Sequence, residues 1–262
     1  MTAGQKAFRL ASVVEGHIGV VTFASPPYNH VSVPLLRAIA DALYALDQDD
    51  ACRVVLLQSE GKVFCAGADF TAGGDFAQDN ENAQTLELYA QAVRLYSNRK
   101  PLIVAVQGAA IGAGLGLALV GDFRIATDDA RFSANFVKLG FHAGFGISVR
   151  LPEIVGGQKA ARMLLTAERI SGVTAFDWGL VDELAAPGDL ARSARAFAAL
   201  IAENAPLAVE ATRETLRAGL ADRIRAATAK EAVLQAGLKQ TQDFAEGIKA
   251  VSERRAGAFV RG

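Results

Sequence analysis

Cysteine is almost missing from this chain: Cys52 and Cys65 are the only two among 262 residues. Two cysteines make no disulfide framework, so burial must hold the fold together, and a reducing, cytoplasmic compartment is expected. Histidine is nearly as scarce, with His17, His30 and His142 far apart and no Cys/His metal-ligand spacing, so no metal is expected. An excess of one charge is also absent. Lys and Arg number 27 against 28 Asp and Glu, a net charge of −1, which leaves no electrostatic footprint for nucleic acid or an anionic membrane. Residues Met1 to Val14 have no apolar signal core, so export is not expected. Between Lys100 and Asp122 lie 21 uncharged residues, long enough to span a bilayer. That stretch contains Pro101, Gln107 and five glycines (Gly108, Gly112, Gly114, Gly116, Gly121), which weaken a spanning helix. A buried strand, a turn and a buried helix fit it better than a membrane segment.

What is present is apolar and ordered. Hydrophobic residues are 51% of the chain and charged residues 21%, which excludes a disordered or fibrous protein. The length suits one large domain, or one with a helical appendage. Short apolar runs at Val20–Phe23, Val54–Gln58, Ile103–Val106 and Phe123–Ala126 read as strands. Helical periods separate them, over Leu35–Leu46 and Thr85–Tyr96. Alternation of the two argues an α/β fold with mostly parallel strands. From Asp189 onward only helix patterns occur, broken at Asn204-Ala205-Pro206, and a soft boundary is placed near residue 200. Ala72–Asn80 is polar and glycine-containing and reads as a surface loop.

Strand Leu102–Val106 runs into Gly108-Ala109-Ala110-Ile111-Gly112-Ala113-Gly114-Leu115-Gly116. A nucleotide cradle is one reading, but G-x-G-x-x-G fails at Leu117. The G-x-x-x-G-x-G variant fits, yet needs a later catalytic tyrosine, and all four tyrosines precede the turn. An oxyanion hole suits the turn better. The first turn of a helix presents unpaired N–H groups, and a second free N–H opposite completes the hole. Phe64-Cys65-Ala66-Gly67-Ala68-Asp69 supplies small residues for that close approach.

These segments carry a resemblance. Ser25-Pro26-Pro27-Tyr28-Asn29-His30-Val31, Lys62 to Asp69, Lys100 to Val106, the glycine turn, Gly121 to Ala126, Ala130-Arg131-Phe132, Leu151 to Gly156 and Asp243 to Ile248 with Arg254-Arg255 and Phe259 follow one another in order. In that order they resemble the crotonase (enoyl-CoA hydratase/isomerase) superfamily across nearly the whole chain. The resemblance implies a spiral of ββα units over residues 1–200. It also implies a C-terminal helical trimerisation region over 201–262, with homotrimers or hexamers built as dimers of trimers. It implies acyl-CoA thioester substrates, coenzyme A entering as part of the substrate with no tightly bound cofactor. By motif, the N–H groups of Ala68 and Ala113 hold the thioester carbonyl, and the Ala66 carbonyl meets the adenine. Gly67, Asp69 and Gly112 flank these groups, Asp69 serving equally well as a turn cap. Lys62, Arg254 and Arg255 either meet CoA phosphates or are solvated surface charge.

The same resemblance implies two hydratase glutamates at positions that hold Gly116 and Phe136 here. No acid lies in Gly108–Val120 or Phe132–Ile147 to replace them. Water addition needs a general base and an acid, so an efficient two-glutamate hydratase is not expected. His142, between glycines in Gly140-Phe141-His142-Ala143-Gly144, is the expected proton carrier, with His30 as its helper. Phe70, Phe76, Phe136, Phe141 and Phe145 lie near motif positions and form either a site for a bulky acyl group or ordinary core. Two rivals remain open: hydrolysis of a carbon–carbon bond in a β-dicarbonyl substrate with His142 as base, and a catalytically silent acyl-CoA binder.

Overall fold

The computed structural model describes residues 8–70, 76 and 82–262. The expected loop at 72–80 therefore lies, apart from Phe76, outside the described residues. In chain order the elements are β1 (Arg9–Glu15), β2 (Ile18–Ala24), α1 (Val33–Asp47), β3 (Val54–Ser59), α2 (Ala83–Tyr96), β4 (Leu102–Val106), β5 (Ala109–Ile111) and α3 (Ala113–Leu119). Then come β6 (Phe123–Thr127), β7 (Arg131–Ser133), a 3-10 turn over Asn135–Leu139, α4 (Ile147–Val155), α5 (Gly157–Thr166), β8 (Ile170–Ser171), α6 (Gly172–Asp177) and β9 (Glu183–Ala185). Four helices close the chain: α7 (Leu190–Ala202), α8 (Pro206–Leu216), α9 (Leu220–Leu238) and α10 (Gln242–Ser252). None is long and apolar enough to cross a membrane among the described residues.

The strands form two sheets. Six lie in the order β1-β2-β3-β4-β6-β9, antiparallel at β1/β2 and parallel thereafter. Central parallel strands are covered on both faces, which is why β3 and β4 read as unbroken apolar runs. Side chains alternate between the faces. Val55, Leu57, Leu102 and Val104 join the main core, while Val54, Leu56, Ile103 and Ala105 pack with Leu190, Ala194 and Ala198 of α7. The second sheet is short, in the order β5-β7-β8. Its path is extended by two single parallel bridges, Val31 to Ala68 and Cys65 to Ala110.

Each turn of the chain thus runs along the large sheet, crosses to the small one, and enters a helix. β4-β5-α3 is one such turn and β6-β7 begins the next, so the ββα spiral is present. The C-terminal helices are tied to it. Asp122, just before β6, accepts from Nε of Arg213 on α8 at 2.7 Å, from Nη1 of Arg217 at 2.7 Å and from the Leu102 N–H at 2.8 Å. Burial opposes ionisation of Asp122, but the two guanidiniums outweigh it and hold its carboxyl below the ordinary range. Burial also lowers Arg213, from a starting point so high that the side chain stays charged. The expected division near residue 200 falls inside the last turn of α7, and Leu220, Ile224 and Ala232 of α9 share the main core with the strands.

Candidate active site

Consecutive turns of the spiral place residues 65–68 and 110–113 side by side. The Cys65 N–H donates to Ala109 O at 2.9 Å and the Ile111 N–H donates to Cys65 O at 3.0 Å. At Gly67 the contact tightens. With φ near +89°, a Cβ there would sit 2.6 Å from Ile111 O and 3.5 Å from the Ala113 nitrogen, so only glycine lets the two segments touch. Ala113 is the first residue of α3, where an N–H has no intrahelical acceptor. Among the described residues, neither the Ala68 nor the Ala113 N–H has a hydrogen-bond acceptor.

Ala68 and Ala113 both line one cavity of about 60 Å³. Ala66, Gly67, Ala68, Gly112 and Ala113 form one wall. Phe70, Phe76, Phe136, Phe141 and Phe145, the five phenylalanines that the sequence left between site and core, all line it. Their rings meet mostly edge to face, Phe70 on Phe141 at 5.4 Å and Phe136 on Phe141 at 5.7 Å. Phe244 of α10 braces the cluster from outside the lining, 5.3 Å from Phe141. Two backbone N–H groups beside a wall rich in phenylalanine are an arrangement able to stabilise a developing oxyanion.

The family model for enoyl-CoA hydratase/isomerase matches residues 14–261. The chain belongs to this family. It is 34% identical over 249 residues to the (E)-benzylidenesuccinyl-CoA hydratase of Thauera aromatica, covering 94% of this chain and 96% of that protein. With the crotonyl-CoA hydratase of Syntrophomonas wolfei it shares 33% over 237 residues, 88% of this chain and 90% of the other. The crystal structure of an enoyl-CoA hydratase/isomerase from Pseudoalteromonas atlantica superposes with a TM-score of 0.86 at 28% identity, covering 96% and 99% of the two chains. The mixed α/β crotonase-like fold and an enzyme of the enoyl-CoA hydratase/isomerase family are thereby established.

Gly116 and Phe136, the positions at which the resemblance implies glutamates, both sit among aromatic side chains. Gly116 is buried on α3, and a Cβ there would lie 2.7 Å from Cγ and Cδ1 of Phe145. Phe145, fully buried with φ near +66°, occupies the volume an acid at 116 would need. Gly116 itself is not in the cavity lining, whereas Phe136 is.

The two candidate histidines are placed differently. Phe141 and Gly144 line the cavity, but His142 between them does not. Its Nδ1 lies 2.6 Å from Ala143 O, its own carbonyl accepts from Gln235 Nε2 at 2.6 Å, and its ring is near enough to Glu231 to favour that carboxylate. His30 also lies outside the lining, with Nδ1 3.0 Å from Gly67 O. The structure therefore brings Ala66, Gly67, Ala68, Gly112, Ala113 and Phe136 together around the cavity, and the expected proton carriers His142 and His30 do not line it. Asp69 is buried and likewise outside the lining. Lys62 and Arg254 are exposed. Arg255 is engaged by Glu246 and by Glu253, and Arg255 with the Ala258 N–H draws the Glu246 carboxyl down to about 2.

The polar lining residues are Asn135, which the sequence offers as a possible hydrogen-bond partner for substrate without demanding it, and Thr85, Tyr89 and Gln235, which the sequence does not single out. Tyr89 donates to Gln235 Oε1 at 2.8 Å, and burial pushes its phenol far above the usual range. Behind them Glu231, 1% exposed, accepts from the Gly146 N–H at 2.8 Å and from the Ser148 hydroxyl. Burial raises its carboxyl against those bonds. The signal was the spacing Thr228, Glu231, Gln235 on α9, three polar residues on one helical face that turns out to be buried.

Proposed function

We propose that this protein acts on acyl-CoA thioesters by holding the thioester oxygen between the N–H groups of Ala68 and Ala113 and stabilising the enolate formed at carbon α. The observation that carries the reading is the pair of N–H groups, without an acceptor among the described residues, on adjacent turns of the spiral in residues lining a cavity rich in phenylalanine. Negative charge gathers on the thioester oxygen as the α-carbon loses a proton or a substituent, and the two donors meet it without reorganising. Phe70, Phe136, Phe141 and Phe145 exclude water and favour an apolar or aromatic acyl group. Neither carboxylate nor imidazole joins the lining among the described residues, so fast hydration is outside this site's chemistry. We assign no proton transfer to His142, and the carbon–carbon hydrolase reading loses the base it relied on.

Lys62, exposed on the turn after β3, is the cation we assign to the CoA phosphates; Arg255 would first have to leave Glu246 and Glu253. The Ala66 carbonyl is our assignment for the adenine. A homotrimer or a dimer of trimers is supported by Leu207 and Leu216 of α8 and Val233 of α9, large apolar side chains left exposed on the single chain.

The test is Ala68→Pro, which removes one donor. Screened across acyl-CoA thioesters with mass-spectrometric readout, the parent turns over at least one class and the folded variant falls about 10²–10³-fold. Unchanged turnover in the variant removes the assignment. Thioester binding without turnover in the parent identifies a silent binder instead.

A further inference from the structure

We propose that His30 is a positioning residue of the oxyanion site, its Nδ1–H and the Val31 N–H together clamping the Gly67 carbonyl. The inference rests on the oxyanion reading above. Gly67 C=O and Ala68 N–H belong to one planar peptide, so fixing the oxygen fixes the direction of the N–H. Val31 N donates to that oxygen at 3.0 Å and His30 Nδ1 lies 3.0 Å from it. A carbonyl oxygen only accepts, so Nδ1 carries the hydrogen and a neutral ring keeps Nε2 bare. Two donors on one carbonyl also polarise the amide, and hydrogen bonds in series strengthen one another.

The clamp is held by further hydrogen bonds of the same turn. Asn29, 3% exposed with φ near +52°, ties the turn down through Nδ2 to Glu60 O at 2.8 Å and Val63 O at 2.7 Å. Its Oδ1 accepts from the Ser25 N–H at 2.7 Å. The Ala66 N–H donates to Tyr28 O at 3.0 Å, and the Tyr28 ring stands edge-on to His30, centroids 6.0 Å apart. The turn and the oxyanion segment are therefore laced together on both sides of His30. The ring spends a nitrogen on Gly67 and does not line the cavity, so it acts through the Ala68 peptide and not on the substrate.

The test uses acetoacetyl-CoA, whose enolate absorbs in the near ultraviolet apart from the keto form. At a fixed pH the parent enriches bound ligand in enolate over free ligand. His30→Phe keeps a ring against Tyr28 and removes the donor. It lowers the bound enolate-to-keto ratio about three- to tenfold, the loss of one hydrogen bond. His30→Asn returns an N–H near the Nδ1 position and restores most of the ratio. Binding of an S-alkyl-CoA thioether, which has no carbonyl, stays unchanged in all three, and circular dichroism checks the fold. If the phenylalanine variant does not fold, His30→Leu replaces it. A ratio unmoved by removal of the donor, an asparagine variant no better than the phenylalanine one, or thioether binding lost in parallel overturns the clamp while leaving the hole intact. Absence of enolate enrichment in the parent overturns the oxyanion reading and the clamp with it.

Discussion

Gly116 and Phe145 form one packing unit, and this makes a quantitative prediction. A Cβ at residue 116 would lie 2.7 Å from Cγ and Cδ1 of Phe145 and 2.8 Å from its Cβ. Overpacking of this kind costs about 1–3 kcal/mol. Replacing a helical glycine by alanine returns up to about 1 kcal/mol. Gly116→Ala is therefore expected to lose about 1–2 kcal/mol. Removing the ring relieves the clash, but Phe145→Ala leaves the Cβ in place, so the informative partner is Phe145→Gly. Glycine also accepts the positive φ of that residue without strain. Loss of a buried phenylalanine costs about 3–5 kcal/mol by itself. In the Phe145→Gly background the added methyl enters empty space, and Gly116→Ala becomes neutral or stabilising. The double-mutant cycle should then show about 1–3 kcal/mol of coupling. Urea denaturation at one protein concentration measures it, since any oligomer makes apparent stability concentration-dependent. Costs that add within about 0.5 kcal/mol would refute the argument that Phe145 occupies the volume an acid at 116 would need.

Crotonyl-CoA hydration should run several orders of magnitude below that of a two-glutamate relative, since each general acid or base is worth about 10²–10⁴; a coupled hydratase assay at equal enzyme concentration checks it. His142→Ala should lower the melting temperature without moving the enolate-to-keto ratio of bound acetoacetyl-CoA, and a large drop in that ratio would return the ring to the site. Asp122→Asn should cost about 3–5 kcal/mol, because Arg213 and Arg217 keep buried charges with no carboxylate to meet them. The folded pKa of Asp122 lies below its unfolded value, so its contribution is complete above about pH 4 and fades as pH falls through the folded pKa. Stability curves of parent and Asp122→Asn should therefore run parallel above pH 5 and converge in acid, which denaturant titration at several pH values reads directly.

The long elements were legible because their periods are long enough to see. Leu35, Leu36, Ile39, Leu43 and Leu46 mark α1, and all are buried. Ser32 caps it, accepting from the Leu35 N–H at 3.3 Å. The unbroken apolar runs of β3 and β4 follow from cover on both faces. β5, β7 and β9 have three residues each and β8 has two, too few for any alternation to show. Those short strands are nevertheless what bring Cys65 beside Ala110. The proposed hole is signalled in the sequence only by the glycine turn and the resemblance, since an N–H group leaves no mark on composition. For His142 the sequence shows less: flanking glycines indicate that a backbone bends, not which way a side chain then points, and the ring does not line the cavity. Tyr89 and Gln235 meet from α2 and α9, 146 residues apart, and no local pattern joins them.

A hole made of backbone N–H groups, as proposed here, is insensitive to the side chains around it, so its geometry does not depend on which residues stand at 116 and 136. What Ala68 and Ala113 require is that residues 65–68 and 110–113 run in register and that the start of α3 lack an acceptor. Neither condition involves the side chain at 116 or 136. Those side chains decide instead what happens at the carbons next to the thioester. With Phe145 against Gly116 and Phe136 in the lining, neither position offers a charged group to the cavity. An enolate formed there is stabilised chiefly at its oxygen. In the proposed reading the Ala68 peptide carries energetic weight that carboxylates would otherwise share, and the proposed clamp by His30 and Val31 acts on that one peptide.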